Sequence, residues 1–245
     1  MPVTLWKFIG GRLCLDFVNT VGGRVSDRQR YGPSSAGARR GRDYADAVVR
    51  DKLPIYSDLL SWAESAGALT HRESVQLGRR AAADPQAAAS VLARAVQLRA
   101  ALYRIFKSVV ENWAPEPAAM QILQRELSVV RAHERLAYAS GAFVWTWDDS
   151  ARSLDRVLWP IARSAAELLA SDSLAMIRQC AGDECGWMFL DFSRNHNRQW
   201  CDMKDCGNRA KVKRFRQGRR TALLNTTPKV VTLTYDARPA RPARK

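Results

Sequence analysis

The chain has 245 residues, 47% apolar and 26% charged, enough to bury one sizeable core and a smaller second one. Its 39 Lys+Arg against 24 Asp+Glu give a formal charge of +15, which favours a polyanionic partner and speaks against an acidic site for small cations. Five cysteines are too few for a disulfide scaffold, and no apolar run is long enough to span a bilayer. The N-terminal run is broken by Gly10, Gly11, Arg12 and Asp16, so it makes a poor secretion leader. These features predict a cytoplasmic protein with no membrane partner, in which clustered cysteines point to a metal.

Trp6-Lys7-Phe8-Ile9 and the run from Leu13 to Thr20, separated by Gly10-Gly11, fit strands or the start of a buried helix equally well. Residues 22–42, rich in Gly, Ser and Arg, read as a loop. Pro54 fits the first turn of a helix through Ala66 that carries Leu59, Leu60 and Trp62. Thr70 with Glu73 forms a capping-box signature for a second helix. Asp84-Pro85 supplies the cap and first turn of a third, which runs to about Trp113. Along it, Val91, Ala95, Leu98, Leu102, Ile105 and Val109 recur at steps of four and three, one apolar stripe.

Ala114-Pro115-Glu116-Pro117 ends that helix, and a fourth follows with Ala119, Ile122, Leu123, Leu127 and Val130. Residues 137–147 read as a hairpin about Ser140-Gly141, with Phe143, Trp145 and Trp147 on one face. Asp149 or Ser150 can cap a last helix containing Leu154, Val157, Leu158, Ile161, Ala165, Leu168 and Leu169. Pro160 must either kink that helix or move its start. The predicted fold is mainly α with a small β component. A helical N-terminal domain (1–177) precedes a small zinc-binding module (178–220), a knuckle or short hairpin followed by a basic helix. Residues 221–245 form a basic tail, partly disordered, that includes a strand-like run at 230–235.

Charge supports that division. From Arg178 onward there are 16 Lys+Arg and 6 Asp+Glu, so this quarter of the chain holds two thirds of the net charge. Four of the five cysteines lie there too, as Cys180-Ala-Gly-Asp-Glu-Cys185 and, after fifteen residues, Cys201-Asp-Met-Lys-Asp-Cys206. Two close pairs joined by a short spacer are what a tetrahedral thiolate site requires. Four soft sulfur ligands suit Zn²⁺ and leave no open position, so one structural zinc ion is predicted on Cys180, Cys185, Cys201 and Cys206. His196 lies in a polar run that reads as an exposed turn rather than a ligand. Trp187, Phe189, Phe192 and Trp200 are the expected apolar cover, and Trp187-Met188-Phe189-Leu190 the expected strand.

Directly after the last cysteine, residues 207–220 hold seven cations and no acid. The composition suits a helix ending near Gly218. Val212 and Phe215 would face inward, with Arg209, Lys213, Arg216 and Arg220 on one solvent stripe flanked by Lys211 and Arg214; with Arg219 these are the candidate nucleic-acid contacts. Elsewhere, Cys14 reads as a buried small residue, and Asp16 and Asn19 in the same apolar run are candidate contacts for a small-molecule effector.

Cys206-Gly207-Asn208-Arg209, with Trp200-Cys201 and the upstream Cys180/Cys185 pair, resembles the CGNR zinc finger. The opening Gly11-Arg12-Leu13-Cys14-Leu15-Asp16-Phe17-Val18-Asn19-Thr20 resembles the start of the ABATE domain, which accompanies that finger in bacterial proteins. Together the two cover about residues 5 to 220. The resemblance implies a stress-related transcription regulator with the finger as its DNA-binding part.

The chain carries no Gly-rich phosphate loop, no Ser-elbow and no His-Glu-x-x-His helix, and His71, His133 and His196 are its only histidines, so no enzyme is expected. The leading expectation is a transcription regulator that binds double-stranded DNA, its N-terminal domain sensing a signal or forming a homodimer. An RNA-binding protein and a zinc-braced protein-interaction module are the alternatives.

Overall fold

The computed structural model describes residues 6–22, 50–148, 153–183 and 185–224. Most of the expected loop at 22–42, the caps Asp149 and Ser150 and the tail from 225 lie outside the described residues. As expected, the architecture is mainly helical with a few short strands.

The first apolar run resolves as a helix, α1 (Leu13–Val18), with five of its six residues buried. Its approach is tight. A Cβ on Gly10 would sit 2.7 Å from Leu15 Cβ and 2.9 Å from Asp16 N, and Gly11 has φ +80°. The chain then enters β1 (Val21–Gly22), antiparallel to β2 (Arg50–Asp51).

Four helices follow: α2 (Tyr56–Ser65), α3 (His71–Ala83), α4 (Pro85–Val110) and α5 (Pro117–His133). Their starts are chemical. Thr70 Oγ1 accepts from Glu73 N at 3.2 Å while Glu73 Oε2 accepts from Thr70 N at 2.7 Å, a complete capping box. Asp84 Oδ1 accepts from Ala87 N at 2.9 Å, with Pro85 in the first turn of α4. Val91, Ala95, Leu98, Leu102 and Ile105 on α4 are buried, and Val109 at the end of the stripe is half-buried. They form one core with Phe17, Trp62, Leu123 and Trp159.

One burial on α4 runs against its pattern. Arg99, adjacent to Leu98, is 3% exposed. Its guanidinium donates to Thr20 Oγ1 at 2.9 Å and to Asp51 Oδ1 at 2.8 Å, so the cation ties α4 to one end of the β1–β2 pair, where Val21 faces Asp51. Nearby, Arg94 bridges Glu126 on α5 and Asp155 at 2.8 and 2.9 Å.

The hairpin is longer than expected: β3 (Glu134–Ala139) pairs antiparallel with β4 (Ala142–Trp147). Ser140 and Gly141, with φ 53° and 84°, make the two-residue turn whose twist matches the strands. Pro160 moves the next start rather than kinking it. A 3₁₀ turn (Leu154–Leu158) runs into α6 (Trp159–Leu169), with the proline in the first turn where no N–H is needed.

After a second 3₁₀ turn (Asp172–Met176), β5 (Ile177–Gln179) pairs with β6 (Met188–Leu190). Ile177, Met188 and Leu190 belong to the same core as α4. The chain therefore packs as one unit through Asn208, and Arg209–Lys245 forms a second. The helix α7 (Asn208–Leu224) supplies the described part of that second unit, from Arg209 on.

Replacing Thr70 by alanine removes the cap acceptor on α3. Urea unfolding should show a loss of about 1 kcal/mol, with zinc content unchanged.

Candidate metal centre

The four cysteines predicted from spacing come together. The Sγ atoms of Cys180, Cys185, Cys201 and Cys206 all lie within 4.8 Å of one another, and all four residues are buried. Cys201 Sγ is 3.5 Å from Cys185 Sγ and 3.6 Å from Cys206 Sγ. Tetrahedral bonds of about 2.3 Å place sulfurs roughly 3.8 Å apart, so the cluster is already the size zinc needs. His196 is not in it. Its Nδ1 donates to Asp191 O at 2.9 Å, from a turn where its φ is 47°.

Local chain geometry explains the convergence. The β5–β6 pair brings Cys180 beside Trp187, whose carbonyl accepts from Cys180 N at 2.8 Å. Between them the turn closes over the sulfurs at Gly182, where a Cβ would stand 3.2 Å from Cys206 Sγ. Backbone N–H groups of Cys201 and Gly182 point at Cys180 Sγ, at 3.3 and 3.4 Å. Hydrogen bonds from Cys185 and then Cys201, with these amides, draw the Cys180 thiol well below its ordinary range. Such a donor set, shut away from water and lacking an open position, fits one structural Zn²⁺.

The Cys-Gly-Asn-Arg run divides its labour. Cys206 supplies a sulfur. Gly207 permits a close approach, since a Cβ there would meet Met203 Sδ at 2.8 Å. Asn208 Nδ2 donates to Lys204 O at 3.1 Å and closes the wide helical turn Met203–Gly207. Arg209 is exposed on α7. Asp202, which caps that turn by accepting from Lys204 N at 2.8 Å, also pairs with Lys7, as does Asp205.

Between the cysteine pairs, fully buried Asp191 organises the loop. Its carboxylate accepts from Ser193 N, Ser193 Oγ and Arg198 N. Arg198 in turn donates to Trp200 O at 2.9 Å and lies 4.3 Å from the Phe189 ring centre. Phe189, Trp187 and Trp200 cover the cluster as expected. Phe192 does not: it is 65% exposed, because Asp191 takes the inward position at the end of β6.

Asp16 and Asn19 are both buried and bonded to backbone. Asn19 Nδ2 donates to Met188 O at 2.8 Å, and its Oδ1 accepts from Met188 N at 2.8 Å, so one buried side chain grips β6. Asp16 Oδ1 accepts from Gly10 N at 2.7 Å. Burial pushes the Asp16 carboxyl up to about 6 against the pull of the Gly10 and Ile9 amides. A cavity of about 530 Å³ is lined by Ser57, Leu60, Ser61, Glu64, Ser65 and Ser74. Cys14 is buried, and burial raises its thiol to about 12, as suits an inert core residue.

The cations are displayed on α7. Arg209, Lys211, Lys213, Arg214, Arg216 and Arg219 are all exposed; Arg220 is on the helix, with its side chain outside the described residues. Helical periodicity puts Arg209, Lys213, Arg216 and Arg220 on one face. Val212 and Phe215, expected to turn inward, are 48% and 65% exposed. Two apolar residues amid seven cations make too narrow a stripe to bury.

Residues 11–172 match the family model ABATE, described as "Putative stress-induced transcription regulator", and residues 176–219 match the CGNR zinc finger model. These are a regulator and a zinc-finger type, not enzyme types. The comparison with curated proteins gives no match. No described helix is long and apolar enough to cross a membrane.

Two outcomes are expected. Because β6 belongs to the helical core, chelating zinc, or Cys201→Ser, should lower the main thermal transition as a whole rather than melt a separate finger; calorimetry beside elemental analysis checks this. For Asp16, the folded pKa lies above the unfolded value near 3.9. Its stabilising contribution is therefore full below about pH 4 and lost as pH rises through about 6, a change of roughly 2–3 kcal/mol. The stability of Asp16→Asn relative to the parent should rise by about 2 kcal/mol of that between pH 4.5 and 7.5 in urea titrations, where a flat difference would refute the assignment.

Proposed function

The chain belongs to the ABATE family of regulators and carries a CGNR zinc finger, and we propose from this that it binds double-stranded DNA through α7. The observation that carries the reading is the exposed, acid-free cationic helix that begins two residues after the last clustered cysteine. Like charges three and four residues apart weaken a helix by about 0.2–0.5 kcal/mol per pair. A polyanion relieves that repulsion, and counterion release from its phosphates drives association.

In this reading Arg209, Lys211, Lys213, Arg214, Arg216, Arg219 and Arg220 meet phosphates, with Arg209 and Arg216 also able to reach base edges. Zinc fixes the segment from which α7 starts and takes no part in chemistry. Asp16 and Asn19, occupied by backbone partners, act as braces of the metal half-site. The helical domain senses a signal or brings two copies together in the cytoplasm.

RNA is the second reading, favoured by one observation: Phe215 is exposed among cations, with the Arg219 guanidinium 5.8 Å from its ring centre, a platform on which an unpaired base can stack. Competition between duplex DNA and single-stranded RNA at equal salt decides between them.

For DNA, contacts from about five to seven cations predict a slope of log K against log salt of roughly −4 to −6. Gel shifts over a salt series with zinc-loaded protein check it. Binding that stays flat with salt, or persists with Arg209, Lys213 and Arg216 all changed to alanine, would falsify the assignment.

A further inference from the structure

The hairpin leaves the helical core with its apolar face exposed among the described residues. In the observed register Glu134 faces Trp147, Leu136 faces Trp145 and Tyr138 faces Phe143, so Leu136, Tyr138, Phe143 and Trp145 share one face with Trp147 at its base. The base is packed: Trp147 lies 5.6 Å from Trp159, and the Arg163 guanidinium 5.5 Å from the Trp145 ring. Beyond it, Leu136 is 57%, Tyr138 67%, Phe143 72% and Trp145 55% exposed. Scattered exposed apolar residues are ordinary on a monomer, whereas a contiguous aromatic patch marks an interface.

Charge identifies the partner's chemistry. Arg163 is held by Glu134 and Glu167, each at 2.8 Å, and Arg135 on the opposite face by Asp148 at 3.1 Å. Among the described residues, the aromatic face therefore presents neither an unpaired cation for a phosphate nor an unpaired carboxylate for a basic partner. A nucleic acid stacked here would forgo the phosphate contacts that dominate its affinity. The fitting partner is flat, apolar and neutral, which is a description of the face itself. In a chain of formal charge +15, a neutral patch is also where two copies meet with least repulsion.

Area sets the strength. At these exposures three aromatic side chains and a leucine offer roughly 450–500 Å² per copy. Two copies bury about 1,000 Å² together, the lower limit for a specific interface. We propose that the Leu136–Tyr138–Phe143–Trp145 face of β3–β4 packs on the same face of a second copy across a two-fold axis, giving a reversible homodimer. The inference deepens the dimerising role in the regulator reading, and its measurement needs no DNA.

Sedimentation of the full, zinc-loaded chain from about 1 to 100 μM should show a monomer–dimer equilibrium with Kd on the order of 10 μM. Phe143→Lys and, separately, Tyr138→Lys should each weaken it about tenfold or more, with zinc content and thermal midpoint unchanged. Val144→Lys, on the opposite face of the hairpin, should leave it intact. A parent chain still monomeric at the highest concentration, as when the face serves a different protein, overturns the proposal. So does equal weakening by Val144→Lys. A dimer without any DNA shift at low salt removes the regulator reading alone, and a DNA shift by a strictly monomeric chain removes this inference alone.

Discussion

Four sulfurs held within 4.8 Å of one another are the constraint on which the C-terminal half of the core depends. Ionised and unscreened they repel one another, by about 4 kcal/mol for each pair at an effective dielectric of 20. Protonated, they are buried polar groups with only weak partners. A doubly charged ion removes both problems, which is why the β5–β6 register, the turn at Gly182 and the turn at Met203–Gly207 all converge on one point. The bracing comes from far away in sequence. Asn19 grips Met188, Trp187 Nε1 donates to Val21 O at 2.9 Å, Leu190 N donates to Gly10 O at 2.9 Å, and Lys7 pairs with Asp202 and Asp205. A finger too small for its own core thus borrows the N-terminal segment as its wall.

The same contacts sort the charges. Among the described acids after residue 177, Asp191 is spent on the loop between the cysteine pairs, while Asp202 and Asp205 answer Lys7. The sequence of α7 itself contains no acid. The cations of α7 are exposed on that acid-free helix. A net charge of +15 alone does not separate a solvated basic surface from a binding surface; the proposed nucleic-acid contact rests on where the cations sit, on one exposed helix.

Helix starts were legible because they are local chemistry: the Thr70–Glu73 box, the Asp84 cap with Pro85, and Pro160 in a first turn are each written within four residues. The cysteine cluster was legible because its two spacings carry the ligand geometry. Asn19 was visible only as a polar residue in an apolar run, since its partner Met188 is 169 positions away. Arg99 was invisible for the same reason: beside Leu98 it reads as a helix flank, and only Thr20 and Asp51 explain its burial. Phe192, Val212 and Phe215 show the converse error, apolar residues assigned inward where the fold supplies no cavity to receive them.

The hairpin extends that lesson from single residues to a surface. Alternation along β4 instructs one face to be apolar, and a six-residue strand reaches roughly 20 Å. Among the described residues the helical core meets the hairpin near its base, through Trp147 against Trp159, itself stacked on His133 at 4.1 Å, and through Arg163 against Trp145 and Glu134. Were the pattern a folding instruction alone, it would stop where the core stops; instead it runs on to Tyr138 and Phe143, whose rings lie 5.1 Å apart beside the turn. In the proposed homodimer, a pattern longer than the surface that needs it is satisfied by a second copy. That proposed dimer would carry two copies of α7, the number of reading helices that a two-fold symmetric DNA site takes.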